Sequence, residues 1–178
     1  TLYSSVCAIF RYYGLYYGGD LGIYMQSQWT TLHGHGWFYT SMFEGSRFGN
    51  HFEPILFFIL PLYALFPRAE TLLVLQSLIM ALGALPIYWI ARDELEGKAG
   101  VTFAGLYLLY PALHGINQDE FHGSALAIPF LLFCFYMFKN KRYKWGMVFA
   151  VLAMMCKENV PLVVIFMGLY WLWEERDK

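Results

Sequence analysis

The stretch "GNHFEPILFFILPLYALFP", Gly49 to Pro67, places His51 and Glu53 directly before a prolyl-led apolar run, Pro54 to Phe66. That run is too short to cross a bilayer, because a perpendicular helix needs roughly 20 apolar residues. Whether it crosses nevertheless decides the side on which every later loop lies, and so decides the fold. The rest of the chain supplies the constraint.

Of 178 residues, 58% are hydrophobic and 14% charged, and the mean hydropathy is +0.43. One water-soluble core cannot hide that much apolar side chain, so the solvent for most of it is lipid. A formal net charge of −1 gives no electrostatic reason to expect nucleic acid as a partner. Cys7, Cys134 and Cys156 lie far apart inside apolar runs, without metal-ligand or disulfide spacing, and read as small hydrophobes. The chain opens on Thr1 and ends in a charged tail after an apolar run. We expect a single membrane module, residues 1–178, that is a fragment of a longer protein.

Other apolar runs fall at about Leu2 to Tyr17, Thr71 to Ala91, Val101 to Leu113, Ser124 to Phe138, Trp145 to Cys156 and Val160 to Trp173. Positive charge orients them. "KNKRYK" (Lys139 to Lys144) holds four Lys/Arg, while "RDELEGK" (Arg92 to Lys98) and "EERDK" (Glu174 to Lys178) hold two each. Under the positive-inside rule these three loops are cytoplasmic. The polar "HGINQDEFHG" (His114 to Gly123) then faces outside, as do "KEN" (Lys157 to Asn159), Arg68, Glu70 and the loop Gly18 to Asn50. Both ends of residues 54–66 lie on that outer side, which makes the run a re-entrant or interfacial helix. A genuine crossing there would reverse every later loop and put the lysine-rich turn outside.

Within the outer loop, residues 18–53, "DLGIYMQSQWTTLHGHG" spaces Leu21, Tyr24, Met25, Trp29 and Leu32 on one helical face opposite Gln26, Ser27 and Thr30. It predicts an amphipathic surface helix capped by Asp20 and ended by Gly34 and Gly36. The expected fold is an all-α polytopic bundle, multi-pass in a cell membrane, with juxtamembrane helices on its outer face.

Asp20, Glu44, His51, Glu53, Asp119, Glu120, His122, Lys157 and Glu158 all fall at the outer ends of apolar segments. Ionisable groups at that depth are costly unless they pair, meet water or bind something, so a shared polar pocket is expected there. Structural readings stand beside it: Asp20 as a helix cap, and Lys157 with Glu158 as a local pair. His33 and His35 lack a carboxylate in register for a metal. His51 with Glu53, or Asp119 with Glu120 and His122, would be the ligands if a divalent cation takes part. Trp29, Trp37 and Trp145 read as interface-belt residues.

The order "GDLGIYMQ" (Gly19 to Gln26), "NHFEPILFFILPLYALFP" (Asn50 to Pro67), "LLVLQSLIMALGALPIYWIAR" (Leu72 to Arg92), "YPALHGINQDEFHGSALAIPF" (Tyr110 to Phe130) and "MMCKENVPLVV" (Met154 to Val164) resembles a prokaryotic family of predicted polytopic membrane proteins of unknown function, over nearly the whole chain. That family is similar in layout to the amino-terminal membrane module of the GT-C glycosyltransferases, such as the protein O-mannosyltransferases and the lipid A aminoarabinose transferases. The resemblance implies an inverting transfer of sugar from a polyprenyl-phosphate donor at the outer face. It implies Asp20 as the catalytic carboxylate, His51 and Glu53 as pocket residues, Asp119 or Glu120 as the second-loop acid, and Lys157 as a ligand for the donor phosphate. His122 and Glu158 complete the expected substrate pocket. Gly19 and Leu21 flank Asp20 where GT-C enzymes commonly carry a second acid. A transporter or flippase, and a non-catalytic membrane scaffold, are the other function classes open to this composition.

Overall fold

A buried apolar segment has no water for its backbone N–H and C=O groups, and a helix satisfies them internally. Each apolar run is accordingly helical in the computed structural model, which describes residues 1–95 and 97–176. Glu96 of the Arg92 to Lys98 loop and Asp177 and Lys178 of the tail lie outside the described residues. The fold is all-α, and the one sheet among the described residues is a small hairpin, β1 (Tyr39–Thr40) antiparallel to β2 (Gly45–Ser46).

Two helical segments are long and apolar enough to cross a membrane. α1 (Leu2–Tyr13) and α2 (Asp20–Leu32) precede the hairpin, and α3 (Leu56–Leu65) follows it. α4 (Ala69–Leu82) and α5 (Ala84–Glu94) then join at Gly83 into the first span, Ala69–Glu94; α6 (Ala99–Leu108) and α7 (Pro111–Asp119) form the second, Ala99–Asp119. The most apolar window of the second span is only 6% buried, so its side chains face the surroundings rather than a protein core. The spans run antiparallel: Tyr107 donates to the Met80 carbonyl at 2.8 Å, and Ser77 lies 2.9 Å from the Asn117 side-chain oxygen. Gly83 permits this approach, since a Cβ there would collide with the Tyr107 ring.

α8 (Ala127–Lys139), α9 (Tyr143–Met154) and α10 (Val160–Arg176) complete the bundle. α8 and α9 close as a hairpin on Gly146, where the Phe138 ring occupies the space a side chain would need, a small-residue contact of the kind membrane helices use. Lys139 pairs with Glu94, which puts the lysine-rich turn and the Arg92 to Lys98 loop at one end of the bundle. The expected outer acids gather at the other.

α3 is ten residues long, about 15 Å. Its start is tied to the turn after α9 by the Ile55 N–H, which donates to the Met155 carbonyl at 3.0 Å. Its end passes through Phe66–Arg68 into the start of α4, beside the end of α1, where the Tyr13 hydroxyl donates to Glu70. Leu56, Ile59 and Tyr63 turn inward against Leu72, Leu73 and Leu126.

The structure corrects three details. The inward face of α2 is Leu21, Ile23, Tyr24, Ser27, Gln28 and Thr30, whereas Trp29 and Leu32 point outward. Ser27 and Thr30 enter the interior because their hydroxyls bond the Tyr24 and Tyr39 carbonyls, so they bring no unsatisfied group with them. Asp20 makes no capping bond; the capping is supplied from α7's end, as described below. The second span continues to Asp119 instead of ending at Leu113, because Pro111 restarts the helix at its N-terminus.

Candidate functional site

The polar end is built around three buried groups. Glu53, only 1% exposed, accepts from Arg47 Nε at 3.0 Å and from the Tyr24 hydroxyl at 2.9 Å. The Arg47 guanidinium carbon sits 3.6 Å from the centre of the Tyr24 ring, adding a cation–π contact to the ion pair. Burial first, then the Glu53 charge, push the Tyr24 hydroxyl far above its ordinary value of 10.0. It stays protonated as a donor to Glu53, while its oxygen accepts from the Gly123 N–H at 3.0 Å. The residue 18–53 segment, the entry to α3 and Gly123 ahead of α8 are thereby joined around Glu53 and its Tyr24 partner.

Glu120 does the equivalent work for α2. Its carboxylate accepts from the backbone N–H of Gly18 and, at 2.6 Å, of Leu21. The Leu21 N–H is one of the orphan donors that every helix start presents, Gly18 lies just ahead of the helix, and a carboxylate there also suits the helix dipole. Gln76, wholly buried, donates to the Glu120 carbonyl and accepts from the His122 N–H, both at 2.8 Å. Asn117 reaches the Ser4 carbonyl at 3.2 Å.

The groups left accessible lie outside these braces. His122 Nδ1 is 3.9 Å from Asp20, and its Nε2 is 3.6 Å from Asp119, ion pairs whenever the ring is protonated. Asp20 and Asp119 are more than half exposed. Asp119 and His122 line an open cleft of about 440 Å³ together with Ser124, Ile116, Ala125 and Ile128. A lining that mixes polar and aliphatic side chains suits an amphiphile.

His51 and Glu158 form a separate contact, Nδ1 to Oε1 at 2.8 Å, across the join of α3 and the α9–α10 turn. The His51 hydrogen bond, ahead of its charge, holds the Glu158 carboxyl below its ordinary value of 4.5. A depressed carboxylate stabilises the fold above the unfolded value and stops doing so as pH falls through the folded one. Glu158→Gln should therefore flatten the acid limb of a stability–pH curve below about pH 4.5, read by thermal unfolding in detergent. Lys157 donates no hydrogen bond among the described residues and contributes its field to Glu158. It follows Cys156, whose carbonyl packs against Gly123, so it sits within one residue of the contact that His122 adjoins.

Of the expected pocket residues, the structure brings Asp119 and His122 together in the cleft, with Asp20 3.9 Å from His122. Glu53 and Glu120 lie buried beneath them with their oxygens committed. His51 and Glu158 meet beside α3, and Glu44 stays exposed in the hairpin turn at φ 49°. His33 and His35 stack on Trp29 at 4.2 and 5.5 Å. Among the described residues no group of three His, Cys, Asp or Glu side chains has the geometry to hold a metal ion.

Sequence does not single out Arg47, Gln76 or Gly123, and it marks Tyr24 only as part of the apolar face of α2. Arg47 had a usable signal, as the one Lys/Arg between Arg11 and Arg68. For Gly123 there was none: a Cβ there would lie 3.3 Å from the Glu53 carboxylate and 3.2 Å from the Cys156 carbonyl. Glu53 is anchored and cannot retreat, so Gly123→Ala should cost about 1–3 kcal/mol of stability, measurable by denaturant titration in micelles.

Helices whose apolar faces turn outward, spans long enough to cross a bilayer, and polar groups collected at one end define a helical membrane protein. The chain belongs to the family DUF2079, described as a predicted membrane protein, whose model matches residues 11–178. No curated protein and no solved structure matches it.

Proposed function

We propose that this chain is the membrane module of a GT-C-like glycosyltransferase, multi-pass in a prokaryotic cell membrane, that transfers sugar from a polyprenyl-phosphate donor at the outer face. The observation that carries the reading is the division of labour among the acids. Glu53 and Glu120 are buried and fully bonded, whereas Asp119 stays accessible beside His122 in a cleft of mixed polar and aliphatic lining, and Asp20 stays accessible 3.9 Å from the same histidine. A scaffold has no need to keep two carboxylates exposed on either side of one histidine. A transporter would hold such groups near the midplane, and here they collect at the end opposite the Lys139–Glu94 pair.

In the proposed step Asp20 accepts the proton of the acceptor hydroxyl as its oxygen attacks the anomeric carbon. The bond from that carbon to the phosphate oxygen breaks, its electron pair leaves with the polyprenyl phosphate, and Lys157 offsets the charge that develops there. His122 holds Asp20 and Asp119 in place. α3 dips into the outer leaflet without crossing and forms one wall, and the donor's prenyl tail lies in lipid. Glu53, Glu120 and the His51–Glu158 pair act as braces for the pocket.

The test is incubation of the purified full-length protein with labelled polyprenyl-phosphate sugars, scored for released lipid phosphate. Release that depends on the protein and on an acceptor supports the reading; none with any donor sinks it. Single cysteines at Arg68 and Lys141 check the topology independently. Labelling of both from one side by an impermeant reagent would undo the half-membrane role of α3.

A further inference from the structure

The basic end carries a second amphiphilic feature that the proposed transfer does not use. Between α8, α9 and α10 lies a cavity of about 480 Å³ whose lining includes Phe138, Tyr143, Met147, Met154, Met167 and Trp171. An open cavity of about 540 Å³ adjoins it, lined by Lys141, Arg142, Tyr143, Lys144 and Trp145. Tyr143 borders both, so an apolar groove opens directly onto a cationic rim.

Three facts fit these cavities to one occupant. Lys139 is engaged by Glu94, but Lys141, Arg142 and Lys144 are exposed and have no ion-pair partner among the described residues. Among the described side chains of this rim and of the adjoining end of α10, these three cations outnumber the one carboxylate, Glu174, so their summed charge is positive. Methionine side chains adapt to chains of varied shape, and three line the groove. The Trp171 indole N–H is buried without a partner among the described residues, a donor that a dry hydrocarbon chain alone would leave unsatisfied.

We propose that this is a binding site for an anionic phospholipid, its phosphate on Lys141, Arg142 and Lys144, one acyl chain in the groove, and an ester carbonyl accepting from Trp171. Basic pockets between membrane helices suit such headgroups. The net charge of the rim selects an anionic headgroup over a zwitterionic one of the same chain length.

The experiment uses full-length protein in nanodiscs of phosphatidylcholine carrying a small fraction of lipid with brominated acyl chains, either phosphatidylglycerol or phosphatidylcholine. The Trp171 contribution is the emission lost in Trp171→Phe. Brominated phosphatidylglycerol should quench it and brominated phosphatidylcholine should not. The triple variant Lys141→Gln, Arg142→Gln, Lys144→Gln, all at exposed positions, should weaken that quenching on the order of a hundredfold in lipid concentration. Gly168→Leu fills the groove from a position where an added Cβ meets nothing within 4 Å, and it should abolish quenching by either lipid. Equal quenching by both lipids, quenching indifferent to the triple variant, or none at all, as when another part of the protein covers the groove, each overturns the proposal.

Discussion

Arg47→Ala should destabilise the protein by about 3–5 kcal/mol, the range for removing one partner of a buried ion pair. The size follows from what remains. Glu53 is 1% exposed, and without Arg47 its charge has the Tyr24 hydroxyl as its described side-chain donor. Protonation would relieve the charge, but the carboxyl would then compete with Tyr24 for acceptors in a site where the Tyr24 oxygen already serves Gly123. Tyr24→Phe removes one hydroxyl and strands the Gly123 N–H, so its cost is smaller, about 1–3 kcal/mol. The double variant Arg47→Met, Glu53→Leu should recover much of the loss, because apolar side chains of similar volume can replace a buried pair at little net cost. Denaturant titration of all variants in the same detergent measures this. An Arg47→Ala protein within about 0.5 kcal/mol of the parent, the usual range for a surface change, would mean that the Glu53 network does not brace the outer loop.

The helical elements could be read from sequence because lipid and protein interior both reward an uninterrupted apolar run, and the helix is the local solution to its backbone. Boundaries were harder where polar side chains are buried. α7 carries His114, Asn117 and Asp119, a run that reads as loop, yet Asn117 finds Ser77 and the Ser4 carbonyl inside. α2 was read as helix with its buried face rotated, for the same reason. Periodicity scores Ser27 and Thr30 as polar and cannot see the carbonyls that satisfy them. That Asp20, Asp119 and His122 stand at the ends of apolar segments is legible from hydropathy and charge, which act over whole segments. The sorting of the acids into bonded and accessible groups is not legible, since Glu53 and Asp20 differ by which residues arrive: Arg47, six positions away, and Tyr24, 29 away, at one, and His122 at the other. The contacts of Glu120 span 99 to 102 residues, which no local pattern encodes.

If Asp20 is the base of the proposed transfer, Asp20→Asn should lower that transfer by at least about a hundredfold, the lower end of what general-base catalysis contributes, while leaving the fold intact. The second half of that expectation rests on geometry. Asp20 makes no cap bond, and Glu120 already satisfies the start of α2 through Gly18 and Leu21. The amide is isosteric and more than half exposed, so its stability cost stays within about 0.5 kcal/mol. Glu120→Gln is the informative contrast. It weakens charge-assisted bonds to two backbone donors and should lower the unfolding midpoint, costing about 1–2 kcal/mol, with transfer reduced only as far as α2 shifts. Asp119→Asn separates the two accessible acids: if Asp20 is the base, its loss raises the donor's KM through the cleft more than it lowers kcat. Released lipid phosphate under single-turnover conditions, alongside the unfolding midpoint of each variant, resolves the three. An Asp20→Asn protein that transfers at the parental rate would remove Asp20 from the mechanism, and loss of transfer in proportion to lost stability would reduce it to a structural part of α2.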